Sequence, residues 1–282
     1  MRRLHTLTRL IELWRVYAYL DFMWMTRDVR YFLINVVSDL ILNLAGVTAV
    51  FLLAERFDGI GEWTVTQMVF LLGYATAVTG ALDMCFTYNV LHISRRLGRG
   101  QLDHTLIQPQ PVWMALLTEG FAPFSGSGTL ITGLGVMAWA TARLPLTVTP
   151  GWTAAVAVNL GASCAIVLAF SFLWGSLAFW APRGAEEISS AAVRLIYQLK
   201  SFPFDGVGPA LQGGLLTVLP VGFVAWYPCG HLLEMRAFEY GFLVTPLVAV
   251  FFVVLVVWIF KRGMRHYGQT GSQRYLLFGH RR

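Results

Sequence analysis

Residues 242–260 read FLVTPLVAVFFVVLVVWIF, and the chain then turns abruptly basic at Lys261-Arg262-Gly263-Met264-Arg265. The hydrocarbon core of a bilayer is about 30 Å thick and a helix rises about 1.5 Å per residue, so about 20 apolar residues cross it. This run is long enough, and it carries no charge. Lys and Arg concentrate on the cytoplasmic side of membrane proteins, so the basic flank marks the inner end. Working outward, five more apolar runs reach that length, at roughly 33–54, 64–88, 112–141, 152–180 and 208–228. Six crossings with the N-terminus inside place 18 of the 21 Lys and Arg residues in the cytoplasm. Only Arg56, Arg143 and Arg236 fall outside. An odd number of crossings breaks this partition. The pattern therefore predicts an all-α membrane protein with six transmembrane helices and both termini cytoplasmic.

Composition agrees. The chain is 56% hydrophobic and 13% charged, against about 25% charged in ordinary globular domains. A net charge of +6 and a pI near 9.5 suit nucleic acid in principle. Here the basic residues sit at the ends of apolar runs, so the membrane accounts for them and nucleic-acid binding is excluded. The three cysteines, Cys85, Cys164 and Cys229, are far apart and suggest neither a disulfide framework nor a metal cluster. The six histidines are scattered; His92 and His104 share a loop but lack neighbouring ligands. Glu12 and Arg15 interrupt any cleavable signal, so the first twenty residues are expected to stay in the mature protein.

The polar remainder divides into few pieces. In residues 1–30, Leu10, Leu13, Trp14, Tyr17, Leu20 and Trp24 recur at three- and four-residue spacing beside Arg9, Glu12, Arg15 and Asp21. That periodicity predicts an amphipathic elbow helix in the cytoplasmic interface. Residues 89–111 form a cytoplasmic loop around Arg95-Arg96-Leu97-Gly98-Arg99-Gly100-Gln101-Leu102-Asp103. A second stretch, 182–206, carries Arg183, Glu186 and Glu187 and then a short amphipathic run to Lys200. Pro203, Pro209 and Pro220 punctuate the chain beyond it, predicting a fifth span that starts late and bends. Residues 229–241 are too short and polar to cross and read as a shallow external re-entrant segment. Nothing separates a second domain.

No Gly-rich run precedes Lys200 or Lys261, the only lysines, so the chain has no P-loop. Neither a G-x-S-x-G elbow nor an H-E-x-x-H pair occurs. Three carboxylates, Asp39, Asp83 and Glu119, fall within apolar runs. A charge there must face the protein interior or water. They are candidates for an acidic vestibule on a substrate pathway; the alternative is a position at the headgroup boundary or structural bonding to Asn35, Asn43 and Asn89. Small-residue stripes at Gly73-Ala77-Ala81 and Ser125-Thr129-Gly133 predict close helix contacts and are compatible with a subunit interface. Tryptophans such as Trp63, Trp113, Trp139, Trp152, Trp180 and Trp258 sit near the ends of the runs, as in an interfacial belt.

An elbow helix, six spans and the loop Gly100-Gln101-Leu102-Asp103 followed by Leu106-Ile107-Gln108-Pro109 resemble the permease subunits of bacterial type-two ATP-binding-cassette exporters. Phe202-Pro203-Phe204, Leu219-Pro220-Val221-Gly222-Phe223 and Tyr227-Pro228 resemble the small six-helix branch. The resemblance implies a bacterial inner-membrane permease that forms half of a pathway and works with a separate ATPase subunit and a second permease, a heterodimer being favoured. ATP and magnesium would bind on the ATPase, and no cofactor on this chain. Residues 92–108 would be the main coupling element, with Arg95, Arg96, Arg99, Gln101, Leu102 and Asp103 as contacts. Residues 182–190, with Arg183, Glu186 and Glu187, would be a second contact. A membrane scaffold or sensor using the same loop for another partner is the alternative. An ion-driven transporter is disfavoured because no inverted repeat is found.

Overall fold

The computed structural model describes residues 2–56, 61–90, 93–205, 207–235 and 240–271. Among them every regular element is helical. The elbow sequence forms α1 (Arg2–Arg27), which passes to α2 (Val29–Arg56) with only Asp28 between. The Asp28 carboxylate accepts from Tyr31 N at 3.0 Å and caps the new helix. Next come α3 (Val65–Val90), the short α4 (Ile93–Gly98) and α5 (Gln101–Leu106), then α6 (Val112–Thr118) and α7 (Ser127–Thr141). The chain continues with α8 (Pro150–Gly175), a 3-10 turn at Ser176–Phe179, α9 (Pro182–Leu199) and α10 (Pro209–Thr217). It ends with 3-10 turns at Pro220–Phe223 and Gly241–Leu243 around α11 (Trp226–Leu232), and α12 (Val244–Thr270).

Contacts fix the direction of each long segment. Phe70 packs on Trp152, Tyr74 O–H meets Ser163 Oγ at 3.0 Å, and Cys164 Sγ reaches Val78 O. So α3 and α8 run parallel. Phe170 against Phe252 and Phe179 against Tyr267 make α12 parallel to both. Gly73 faces Met137, Gly133 faces Ala77 and Gly80 faces Leu130, so α7 is antiparallel to α3. Asn43 of α2 donates to Thr129 of α7 at 3.2 Å. The α3–α7 seam is where the two predicted small-residue stripes are used. They meet each other within one chain, which leaves neither for a subunit interface. A Cβ on Gly73 would lie 2.6 Å from Met137 N, and one on Gly133 would lie 2.7 Å from Ala77 Cα. The two backbones touch, so dispersion and close packing hold this pair together in lipid.

Two sequence expectations change. The run 112–141 is not one long helix: it breaks after Thr118 and resumes at Ser127. Gly120 takes a left-handed φ of 94° in the break. Asp21 of α1 holds the restart, accepting from Phe124 N at 2.8 Å, Ser125 N at 3.1 Å and Ser125 Oγ at 2.6 Å. Trp14 stacks on Phe121 and Phe22 meets Phe124 edge-on, so α1 packs on this break as well as presenting an apolar face outward.

The second change concerns 182–228. Glu186 pairs with Arg95, just past the C-terminal end of α3. Lys200 bonds to Thr79, midway along α3, and Asp205 accepts from Trp63, just before α3 begins. Residues 182–206 were expected to stay at one end of the bundle; the described part, 182–205, runs the length of α3 and antiparallel to it. Conversely, α10 and α11 are bent by 70° at Pro220. Asp205 also accepts from Trp226 Nε1 at 2.7 Å, Trp152 Nε1 donates to Leu232 O at 2.9 Å, and Asn159 Nδ2 donates to Phe242 O at 3.2 Å. Trp63 and Trp152 stand at the starts of parallel helices, so the chain from 205 to 242 leaves and returns at one end of the bundle. The stretch 208–228, expected as a late and bent fifth span, is divided at Pro220 into short helices that together are long and apolar enough for one broken crossing or a re-entrant loop. Pro220 and Gly222 break the helix, and the amphipathic α9 is masked from a hydropathy reading by Glu186, Glu187 and Arg194.

Among the described residues, four segments are long and apolar enough to cross a membrane by themselves: Val29–Ala49, Val65–Phe86, Pro150–Phe179 and Gly241–Thr270. They make this a multi-pass membrane protein. The first carries almost its whole apolar surface outward, and α12 buries only the seam Thr245, Ala249, Phe252, Val256, Gly263 and Tyr267.

Candidate functional site

At the end of the bundle where α3, α8 and α12 finish, the 93–109 loop folds into two short helices joined by Gly100, whose φ of 70° needs a residue without a Cβ. Ile93, Leu97 and Leu102 are buried against Leu116, Ala178, Phe179, Ala185 and Tyr267. Two glycines make room for this seat. A Cβ on Gly175 would collide with Ile93, and one on Gly263 with Phe179. The loop is thus a packed plug with its own small core.

Polar bonds connect that plug to four other elements. Arg95 Nε donates to Glu186 of α9 at 3.1 Å. Arg96 Nη1 donates to Glu119, at the end of α6, at 2.5 Å. Asp103 accepts from the Tyr267 hydroxyl of α12 at 2.5 Å. Arg9 of α1 donates to Pro109 O at 2.7 Å. Tyr17 of α1 lies near the Arg96–Glu119 pair, where burial first and the Glu119 carboxylate second push its phenol pKa up. These bonds tie the plug to α1, α6, α9 and α12. The Arg96–Glu119 pair is mostly shielded from water, at 20% and 22% side-chain exposure. Removing one partner leaves a poorly solvated charge. Glu119→Gln is expected to weaken nucleotide-dependent coupling, and the added change Arg96→Gln to restore part of it, measured as ATPase stimulation in a double-mutant cycle.

The predicted coupling residues sort by exposure. Arg99, Gln101 and Glu187 face solvent, Arg95, Arg96, Asp103 and Glu186 make internal links, and Leu102 is buried in the seat. Arg183 lies at the start of α9 with a side chain outside those described, and His92 lies outside the described residues. Sequence reasoning missed Tyr267, whose partner is 164 positions away. It also left Leu106 and Ile107 unassigned as contacts. Both are apolar and exposed at the tip of the plug, Ile107 to 82%. Their signal was available: two large apolar residues in a polar loop need a covering surface.

The three membrane carboxylates are not brought to one place. Glu119 is engaged by Arg96 at the plug. Asp39 is exposed on α2, and Asn43 bonds its backbone carbonyl, not its carboxylate. Asp83 lies within electrostatic reach of Lys200 and Asp39. Lys200 itself donates to Thr79 and stands 4.7 Å from the Tyr197 ring. Among the described residues, no group of three His, Cys, Asp or Glu side chains could hold a metal.

The plug is thus seated at one end of a bundle of apolar helices and is apolar at its tip. Residues 40–271 match the profile of the ABC-2 family transporter proteins. The chain belongs to the ABC-2 transporter family. No curated protein and no solved structure matched it. An ABC-2 permease is a membrane transport subunit without an ATPase site of its own; ATP is hydrolysed on an ATP-binding-cassette partner. In this ABC-2 permease the plug at 93–109 is the polar, structured surface nearest the ends of α3, α8 and α12.

Proposed function

We propose that the chain forms half of the translocation pathway of an ATP-driven exporter in a bacterial inner membrane. The observation that carries this reading is the outward face of α9. Ala185, Ser189, Ala192, Val193 and Ile196 are buried against the bundle, while Glu187, Arg194 and Gln198 point away from it. A charge at the bilayer centre costs about 2.5–3.5 kcal/mol on insertion scales and more in simulations. A membrane-crossing α9 cannot turn that stripe to lipid. It must face water or a second permease. With α9 as the fifth crossing, α2, α3, α7, α8, α9 and α12 alternate in direction and keep both termini inside. Arg194 and Lys200 then leave the cytoplasmic set: Arg194 stands on the pathway wall, while Lys200 turns inward to Thr79, within electrostatic reach of Asp83.

The ATPase docks on Leu106, Ile107, Arg99 and Gln101, with Glu187 at the margin. Closure of two ATPase subunits pushes the plug, and the plug's links tilt α9 and α12 between inward-open and outward-open arrangements. A second permease completes the pathway. A sibling chain is favoured over a second copy by the resemblance of the 202–228 stretch to the branch with unlike permeases. Gln198→Cys in the reconstituted complex should react with a small water-soluble maleimide, at a rate that changes with nucleotide. Val250→Cys on the lipid face of α12 should stay unreactive. Equal protection of both positions would remove α9 from the pathway.

A further inference from the structure

Between α2, α3 and α7 lies an open cleft of about 390 Å³, lined by Val47, Phe51, Val69, Gly135, Val136 and Trp139. Its volume falls in the range of small-molecule sites, about 300–1,000 Å³. The lining is apolar apart from the Thr48 hydroxyl, as an acyl chain requires. Four of these residues belong to the last turns of α2 and α7, on the same side as Trp63 and the start of α3. The cleft therefore opens in the leaflet opposite the plug.

What distinguishes it from an ordinary lipid-facing groove is its rim. Arg143 holds its guanidinium 3.7 Å from the centre of the Trp139 ring, and Trp139 is itself a wall of the cleft. Stacking on an aromatic face fixes a guanidinium and leaves its N–H edge free to donate. Among the described residues no carboxylate pairs with Arg143. A fixed, uncompensated cation at the mouth of an apolar cleft matches one membrane component in both parts: a phosphate joined to an acyl chain.

We propose that this cleft is a phospholipid site, with one acyl chain between α2 and α7 and the phosphate on the Arg143 guanidinium. Occupied, it wedges α2 against the α3–α7 pair, so the lipid stiffens the first membrane helix, which few protein contacts hold. The inference requires only that the chain sits in a bilayer and is independent of cargo or coupling.

Gly135 supplies the decisive variant. A Cβ there meets nothing within 4 Å, so Gly135→Leu fills the cleft without disturbing the helix packing. The complex with its ATPase is reconstituted with phosphatidylglycerol carrying a photoreactive acyl chain, or with diacylglycerol carrying the same chain, and labelled peptides are mapped. Phosphatidylglycerol should label residues 47–51 and 135–143 about tenfold more than diacylglycerol, a factor equal to 1.4 kcal/mol. Arg143→Gln should bring it down to the diacylglycerol level. Gly135→Leu should suppress both probes at this cleft while labelling of α12 is unchanged. Equal labelling by the two probes, or no response to Arg143→Gln, would reduce the cleft to ordinary lipid contact and overturn the proposal. So would crosslinking of the cleft to a neighbouring permease in place of lipid.

Discussion

Asp103→Arg is expected to abolish cargo-stimulated ATP hydrolysis by the assembled transporter while leaving the chain in the membrane. The carboxylate accepts a 2.5 Å bond from the Tyr267 hydroxyl, which ties the plug to the last turn of α12. Hydrogen bonds to an ionised group contribute about 1.5–3 kcal/mol, and leaving the partner unsatisfied adds to the loss. Arginine there also sets a bulky cation beside the buried Leu102. The plug's own core, from Ile93 and Leu97 to Phe179, is untouched, so insertion should persist. Tyr267→Phe removes the donor alone and should reduce stimulation without abolishing it, by about ten- to a hundredfold on the same energies. Normal stimulation in both variants would take the Asp103 link out of the coupling path.

Gly133→Leu should have the largest effect on the fold itself. Its Cβ would lie 2.7 Å from Ala77 Cα, a backbone atom that cannot swing aside. Relief requires α3 and α7 to separate along the seam that also includes Gly73 and Gly80. Overpacking commonly costs about 1–3 kcal/mol in soluble cores, and here the strain is spread along two helices. We expect most of the protein to be lost from the monodisperse peak after detergent extraction. Gly128→Leu, on the same helix but with open space at its Cβ, should behave like the parent. Similar behaviour of the two variants would mean that α3 and α7 do not pack through their glycines.

The long apolar helices were legible because a bilayer imposes one length and one hydropathy on any segment that faces lipid. Val65–Phe86 and Gly241–Thr270 satisfy that rule almost residue by residue. The course of α9 was not legible for the converse reason. The outward face of α9 keeps Glu187, Arg194 and Gln198, so it reads as a loop; the apolar Leu211, Leu215, Leu216 and Val218 make 208–219 read as the start of a span. Charge segregation counts Arg194 and Lys200 as cytoplasmic only if 182–206 stays inside, and the proposed course of α9 removes both from that set. The plug was found from its motif and polarity. Its wiring was hidden, because the partners of Arg95, Arg96 and Asp103 lie 91, 23 and 164 positions away and no local spacing encodes such pairs. The small-residue stripes predicted a contact but not its owner. Only the structure pairs Gly73 and Gly133 within one chain.

The placement of α9 decides the pathway, the charge balance and the coupling route together, and opposite-side labelling of its two ends tests it most directly. With Cys85, Cys164 and Cys229 replaced by alanine, single cysteines at Glu187 and Gly208 are treated with a membrane-impermeant maleimide on intact cells. The account predicts that Gly208→Cys reacts from outside and Glu187→Cys only after the membrane is permeabilised. If both react only after permeabilisation, residues 182–206 stay in the cytoplasm, 208–228 is the fifth crossing, and the pathway assigned to α9 does not exist.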